Sequence, residues 1–259
     1  MIEIEHLYKT YEGSQGSHEA LRDINLVIED GDVFGILGTS GAGKSTLVRC
    51  INLLERPTSG TIRIDGRDIT GLSGAELLKL RASIGMIFQN FSLFAQRTVL
   101  DNVTFPLEIR GESKSAREAR ARELLDVVEL GDLANRYPSQ LSGGQQQRGA
   151  IARALANSPK IMLCDEATSA LDTRTTVSIL DLLSRINREL GVTLVVITHA
   201  LTVAESVCNM IAVIEEGEIV EQGAMGDLFA NPQSAALREL IGNSQASAQR
   251  AGLVEAKED

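Results

Sequence analysis

There is no tryptophan in the 259 residues, and all aromatics together make up only 3% of the chain. Proteins that hold single-stranded nucleic acid by stacking its bases need such rings, so that class is set aside. The second requirement of nucleic-acid binding is also in short supply. Lys and Arg number 25 against 35 Asp and Glu, a formal net charge of −10, whereas a phosphate backbone calls for clustered cations; no nucleic-acid partner is expected. Cysteine occurs three times, as Cys50, Cys164 and Cys208. Each stands in an apolar run ("VRCINLL", "IMLCDE", "SVCNMI") without metal-ligand spacing, and the three read as small buried hydrophobes in a reducing compartment. Long apolar runs are missing too. "TLVVI" falls far short of the roughly 20 residues that cross a bilayer, and the opening "MIEIEHLYKTYEG" is polar and strand-like, unlike a signal peptide. A protein that is soluble, or at most attached to a membrane surface, is expected.

What is present is the composition of a globular domain, 43% hydrophobic and 23% charged, and a regular alternation of element types. The first thirty residues alternate in the manner of strands, broken by a turn at "EGSQGS". "DVFGILG" reads as a buried strand leading through a glycine turn into a helix, "KSTLVRCINLLERPTSG", that stops near Pro57 and Gly60. "GTIRIDGRDI" reads as a hairpin and "SIGMIFQ" as another buried strand. From about residue 90 to 156 the pattern becomes helical. There "SKSAREARARELLDVVELG" offers a capping box at Ser115 and Glu118, with Gly131 as a C-cap, and a helix follows "LSGGQQQR". Strand "KIMLCD", helix "TVSILDLLSRINREL", strand "TLVVIT" and a hairpin "MIAVIEEGEIVEQG" complete a strand–helix order that implies a mainly parallel sheet. The expected domain spans residues 1–240; the polar stretch 241–259 is expected to be disordered.

The chemistry begins at "GTSGAGKST". Gly38, Thr39, Ser40, Gly41, Ala42, Gly43, Lys44 and Ser45 fit G-x-x-x-x-G-K-[ST] between a strand and a helix, and Thr46 follows on the helix. Glycines let successive backbone N–H groups wrap phosphates, and the helix N-terminus adds partial positive charge. Lys44 would place its charge on the β- and γ-phosphates, and the Ser45 hydroxyl would ligate Mg²⁺. A nucleotide site is expected here. Ligands of parallel sheets gather at strand carboxyl ends, where "IMLCDE" delivers Asp165 and Glu166. Neighbouring strand residues point opposite ways, so one acid can serve Mg²⁺ while the other faces an attacking water. Gln89 ends "SIGMIFQ" in the same manner and could meet Mg²⁺ or water. His199 ends "TLVVIT"; it could contact the γ-phosphate or be an ordinary hydrogen-bonded histidine. Tyr11 could stack on adenine, pack, or lie exposed. A second glycine-rich helix start, Leu141, Ser142, Gly143, Gly144 and Gln145, is left unexplained by one nucleotide held in one loop.

Taken in order, Tyr11, the P-loop, Gln89, "LSGGQ", "LCDE", "SALD" with Asp172, and His199 resemble the nucleotide-binding subunit of ABC transporters over almost the whole chain to about residue 232. That resemblance implies a P-loop NTPase of ABC type: an α/β fold with a mainly parallel core, an antiparallel β subdomain and an inserted helical subdomain. It implies a transport ATPase using ATP and Mg²⁺, with Glu166 as general base, Asp165 and Gln89 at the metal, His199 at the γ-phosphate and Asp172 coupling two sites. It also implies that two copies pair head to tail and that the Leu141–Gln145 loop of each closes over the other's ATP, which gives the second glycine-rich loop its task. Further stretches, "RCINLLERPTSG", "IGMIFQNF", "RTVLDNVTFPLEI", "YPSQLSGGQQQR" and "LCDEATSALD", are similar to the ATPases of methionine importers. Such an ATPase works on the cytoplasmic face of the membrane. It docks on a separate permease through a groove near residues 90–108 and is served by a substrate-binding protein. Another small solute, or lipoprotein release, is the alternative cargo; a soluble, non-transport ABC ATPase is a more distant one. Asn90, Gly149, Ala200 and Leu201 depart from that family's usual residues. Members often carry a C-terminal regulatory domain, and the short polar stretch after "FANPQ" leads to the expectation that it is absent here and that methionine does not feed back on this chain.

Overall fold

The computed structural model describes residues 1–13 and 16–244. In chain order the elements are β1 (Ile2–Gly13), β2 (Gly16–Ile28), β3 (Val33–Leu37), α1 (Lys44–Ile51), β4 (Ser59–Ile64), β5 (Arg67–Asp68), α2 (Gly74–Ser83), β6 (Ile84–Ile87), α3 (Val99–Ile109), α4 (Lys114–Val127), α5 (Gly143–Leu155), β7 (Ile161–Asp165), α6 (Thr173–Leu190), β8 (Thr193–Thr198), α7 (Leu201–Val207), β9 (Met210–Glu215), β10 (Glu218–Ala224) and α8 (Met225–Ala230). A last helical stretch covers residues 235–244. The chain divides into two compact units, Met1–Thr70 with the chain from Ile197 onward, and Gly71–Val196.

In the first unit β2, β1, β4 and β5 form an antiparallel sheet in that order. Its alternating residues turn Ile2, Ile4, Leu7, Leu21, Ile24 and Ile28 inward, all within 2% of full burial. Period-two alternation is what a sheet with one wet face requires. β3 differs: all five residues are buried, and it pairs in parallel with β9, which carries β10 antiparallel at its other edge. Each fully buried Ile or Leu contributes about 1.5–3 kcal/mol of burial free energy, so these interior strands hold whatever loop follows them firmly. Helix α1 is shorter than the sequence pattern predicts. It ends at Ile51, because Leu53 turns to φ 54° and the Asn52 side chain accepts from Leu54 N at 3.1 Å.

In the second unit β6 and β7 are parallel neighbours, Ile84 opposite Ile161 and Ile87 opposite Cys164, with β8 beside β7. Helices α3, α4 and α5 occupy residues 99–155, within the expected helical stretch. Their boundaries need correction. Helix α4 is capped by Ser113, which accepts from Ala116 N at 3.3 Å, and not by Ser115. It ends at Val127, with Glu129 at φ 60°, before reaching Gly131. Of the stretch expected to be disordered from residue 241, residues 241–244 continue the last helix, which buried Leu237 anchors. The remainder of that stretch, 245–259, and the middle of the "EGSQGS" turn lie outside the described residues. All three cysteines are buried and unpaired with one another, and burial pushes the thiols of Cys50 and Cys208 up to about 12.

Candidate functional site

The first unit carries the P-loop, Tyr11 and His199. The loop leaves buried β3 and enters α1, whose N-cap is Gly43 at φ 106°. No other residue fits there: a Cβ on Gly43 would stand 2.6 Å from the Ala20 carbonyl oxygen. The loop is pinned by Gly217, whose N–H donates to Ala42 O at 3.1 Å and whose carbonyl accepts from Arg22 N at 2.8 Å. Lys44 is 5% exposed. Its ammonium donates to the carbonyls of Gly38 at 2.9 Å and Thr39 at 2.7 Å, which holds it folded over the loop's own backbone. Helix α1 has no capping side chain and no acid in its first turn. An N-terminus left open in this way, with an ammonium beside it, suits a polyanion. Tyr11 lies on β1, half-buried, with Lys9 Nζ 4.6 Å from its ring centroid. His199 is exposed and follows directly on β8.

The second unit carries Gln89, the signature loop, Asp165, Glu166 and Asp172. Because β6 and β7 are parallel with Ile87 opposite Cys164, Gln89 and the two acids emerge from the same end of neighbouring strands. Asp165 is the last residue of β7 and is buried. The expectation that strand alternation separates the two acids is wrong. Glu166 has already left the strand, with φ 50°, and its carbonyl accepts from Ser169 N at 3.1 Å and Ser169 Oγ at 3.0 Å. A tight turn, not the pleat, sets its direction. Left-handed backbone at a glutamate is uncommon and costs about 1–3 kcal/mol.

The signature residues begin a helix. Ser142 is the N-cap of α5, accepting from Gln145 N at 3.3 Å, while the Gln145 side chain accepts from Ser142 N at 2.9 Å. Gly143 and Gly144 therefore form the first turn of a 13-residue helix with no acid in that turn. Gly144 is required by a close approach, because a Cβ there would lie 2.5 Å from Thr175 Cγ2. Thr175 in turn donates from its hydroxyl to Asp172 at 2.6 Å and from its N–H at 3.0 Å, so Asp172 caps α6. Those hydrogen bonds hold the Asp172 carboxyl below the usual carboxylate range.

An apolar groove of about 480 Å³ opens elsewhere on this unit, lined among others by Leu78, Met86, Phe88, Phe94, Phe105 and Ile109. Leu78 and Ile109 are 68% and 71% exposed. Its wall is rigid: buried Asn102 accepts from Phe94 N at 2.7 Å and donates to the carbonyls of Phe94, Arg97 and Thr98. Sequence reading passed over Asn102, Thr175, Phe91 and Arg153. Arg153 left a signal, a lone cation inside the small and apolar run "AIARALA".

A family profile described as ABC transporter matches residues 21–169. The chain is 56% identical over 243 residues to the methionine import ATP-binding protein MetN of Cupriavidus pinatubonensis, covering 94% of this chain and 71% of that protein. To the protein of the same name from Aliivibrio fischeri it is 53% identical over 241 residues, covering 93% and 70%. Among solved structures it is similar to the dimeric ATP-binding cassette MJ0796 in a post-hydrolysis state bound to ADP and Pi, with a TM-score of 0.80, 41% identity, and coverage of 87% of this chain and 99% of that one. It is also similar to cbiO1 from Clostridium perfringens, part of the ABC transporter complex cbiONQ, with a TM-score of 0.81, 32% identity and 98% of both chains covered.

Proposed function

Because the chain belongs to the ABC transporter family, we propose that it is the ATP-hydrolysing subunit of an importer for methionine or related amino acids. It works as a pair of identical copies docked on a separate membrane permease, on the cytoplasmic face, with a substrate-binding protein delivering the cargo. The observation that carries the ATPase reading is the buried Lys44 ammonium, held on loop carbonyls at an uncapped helix start. The methionine reading rests on more than 50% identity to proteins that carry that name. Among the described residues no helix is long and apolar enough to cross a membrane, so the translocation path is assigned to other chains.

In this reading the backbone of residues 38–43 wraps the triphosphate, with Lys44 as its point charge and Thr46 behind it, and Tyr11 meets the base. Ser45, Asp165 and Gln89 supply hard oxygen donors of the kind Mg²⁺ takes. Bound there, Mg²⁺ neutralises charge developing on the phosphates. Glu166 accepts the proton of the attacking water; its turn geometry aims its side chain independently of the strand that fixes Asp165. His199 contacts the γ-phosphate. The glycine-rich helix start at Ser142, Gly143 and Gly144, with Leu141 and Gln145 bracketing it, closes on the ATP of the second copy, and Asp172 couples the two sites. The apolar groove beside residues 90–108 receives the permease.

The test is Glu166→Gln, which keeps size and hydrogen bonding while removing the base. ATP binding should persist and turnover should fall by about 10²–10⁴-fold, the usual range for a general base. Hydrolysis near the wild-type rate would remove Glu166 from that role.

A further inference from the structure

We propose that Arg153 and Phe91 are positioning residues that clamp the chain after Gln89 to the signature helix, so that residues 89–94 and 141–145 shift as one body. The proposal rests on the reading of residues 141–145 as a loop that must meet a nucleotide.

After β6 the backbone takes an unusual path. Phe91 and Ser92 both sit in the left-handed region, at φ 44° and 54°, and Ser92 N donates back to Asn90 O. Two consecutive non-glycine residues in that region persist only if their surroundings hold them there. Arg153, near the end of α5, does so. Its Nη1 donates to Ser92 O at 2.6 Å and its Nη2 to Phe91 O at 3.4 Å, and its guanidinium lies 5.8 Å from the Phe94 ring centroid. Arg153 is half-buried and the resulting desolvation pushes its pKa down, so it is not a surface arginine that happens to reach the loop.

The second attachment lies at the opposite end of the same helix. Gly143 presents a bare backbone face, and a Cβ there would meet Phe91 Cζ at 3.5 Å and Leu171 Cδ2 at 3.5 Å. The Phe91 ring therefore faces the first signature glycine with room for about one methyl group between them, beside the segment that leads to Asp172. Ten residues separate Gly143 from Arg153, about 15 Å along a helix at 1.5 Å per residue. Arg153, bonded to the Phe91 carbonyl, and the Phe91 ring, facing Gly143, bridge that length together. A loop fastened at both ends of a helix cannot swing on it. Ser92, Phe94 and Arg153 also line the apolar groove, so an object pressed into the groove pushes on the same clamp.

Three variants of the full-length chain test the clamp: Arg153→Met, Arg153→Lys and Phe91→Ala. The KM for ATP should stay within about twofold in each, since the P-loop backbone is untouched. The kcat should fall about tenfold in Arg153→Met and Phe91→Ala, the scale expected of a misplaced rather than a missing group, with partial recovery in Arg153→Lys. Amide hydrogen exchange with ATP bound should rise in step at residues 91–94 and 143–146. Unchanged kcat in both variants overturns the proposal, and so does faster exchange confined to 91–94. If Arg153→Met does not fold, Phe91→Ala, which leaves the half-buried cation in place, decides alone. Absence of ATPase activity in the wild-type chain would instead strike at the proposed function, so the two failures are distinguishable.

Discussion

Asp172, proposed to couple the two sites, is held in place by its neighbour Thr175. Its carboxylate accepts from both the N–H and the hydroxyl of Thr175, and the hydroxyl bond is the leading cause of its lowered pKa. A depressed folded pKa means that the cap on α6 is fully in place above the unfolded carboxylate value and is lost as pH falls through the folded one. At neutral pH the cap is therefore secure. Titration of Asp172 followed by carboxyl-carbon NMR should show a midpoint below the ordinary aspartate range, and Thr175→Ala should move it upward; an unmoved midpoint would mean that the hydroxyl does not set it. Lys44, Asp165 and the signature glycines stood out in the sequence through their spacing, and Asp172 through the family resemblance. Thr175 and Phe91 did not. Their significance comes from facing Gly144 and Gly143 across the fold, and no local pattern encodes which side chain will face a bare glycine.

At the level of elements, strands were read more reliably than helix ends. Alternation in β1 and β2 and the unbroken apolar runs of β3, β7 and β8 follow directly from which faces are buried. Caps are decided by competition between nearby candidates. Ser113 prevails over Ser115 because Gly111, at φ 77°, turns the chain just before it, and Lys114 then pairs with Glu118 one turn on, at 3.8 Å. The end of α4 is closed by cations from other helices: Arg148 donates to Val128 O at 3.0 Å and Arg185 to Val127 O at 2.7 Å. Positive charge at orphaned C-terminal carbonyls is favourable, and the stop is therefore set from outside the helix's own sequence. Within α5, Gly149 is buried and has no positive φ. A Cβ there would make ordinary contacts with Leu93 at 3.4 Å and with Leu130 and Val99 at 3.8 Å. Gly149→Ala should accordingly stabilise the protein by about 0.5–1 kcal/mol, visible as a higher urea midpoint. Destabilisation would show that Leu93 cannot accept even one methyl.

For the whole molecule, the decisive fact is that two glycine-rich helix starts carry no acid in their first turns. These open α1 after the P-loop and α5 at the signature. A triphosphate needs only one such start, and the second gains a purpose when two copies related by a twofold axis exchange loops. A single chain's sequence cannot display that exchange, since it is a property of the pair; the motif spacing shows only that both loops exist. Each copy carries a net charge of −10, so long-range electrostatics oppose pairing. In the proposed pairing the attraction comes from a ligand that touches both copies. Hydrolysis-deficient Glu166→Gln should therefore elute as a monomer without nucleotide and as a dimer with ATP and Mg²⁺. Adding Lys44→Ala should abolish the dimer, because the triphosphate is no longer held for the second copy to meet. A Glu166→Gln chain that binds ATP tightly yet remains a monomer at every concentration would leave the Ser142–Gly144 helix start without a nucleotide to close on, and the proposed coupling of ATP to transport would fall with it.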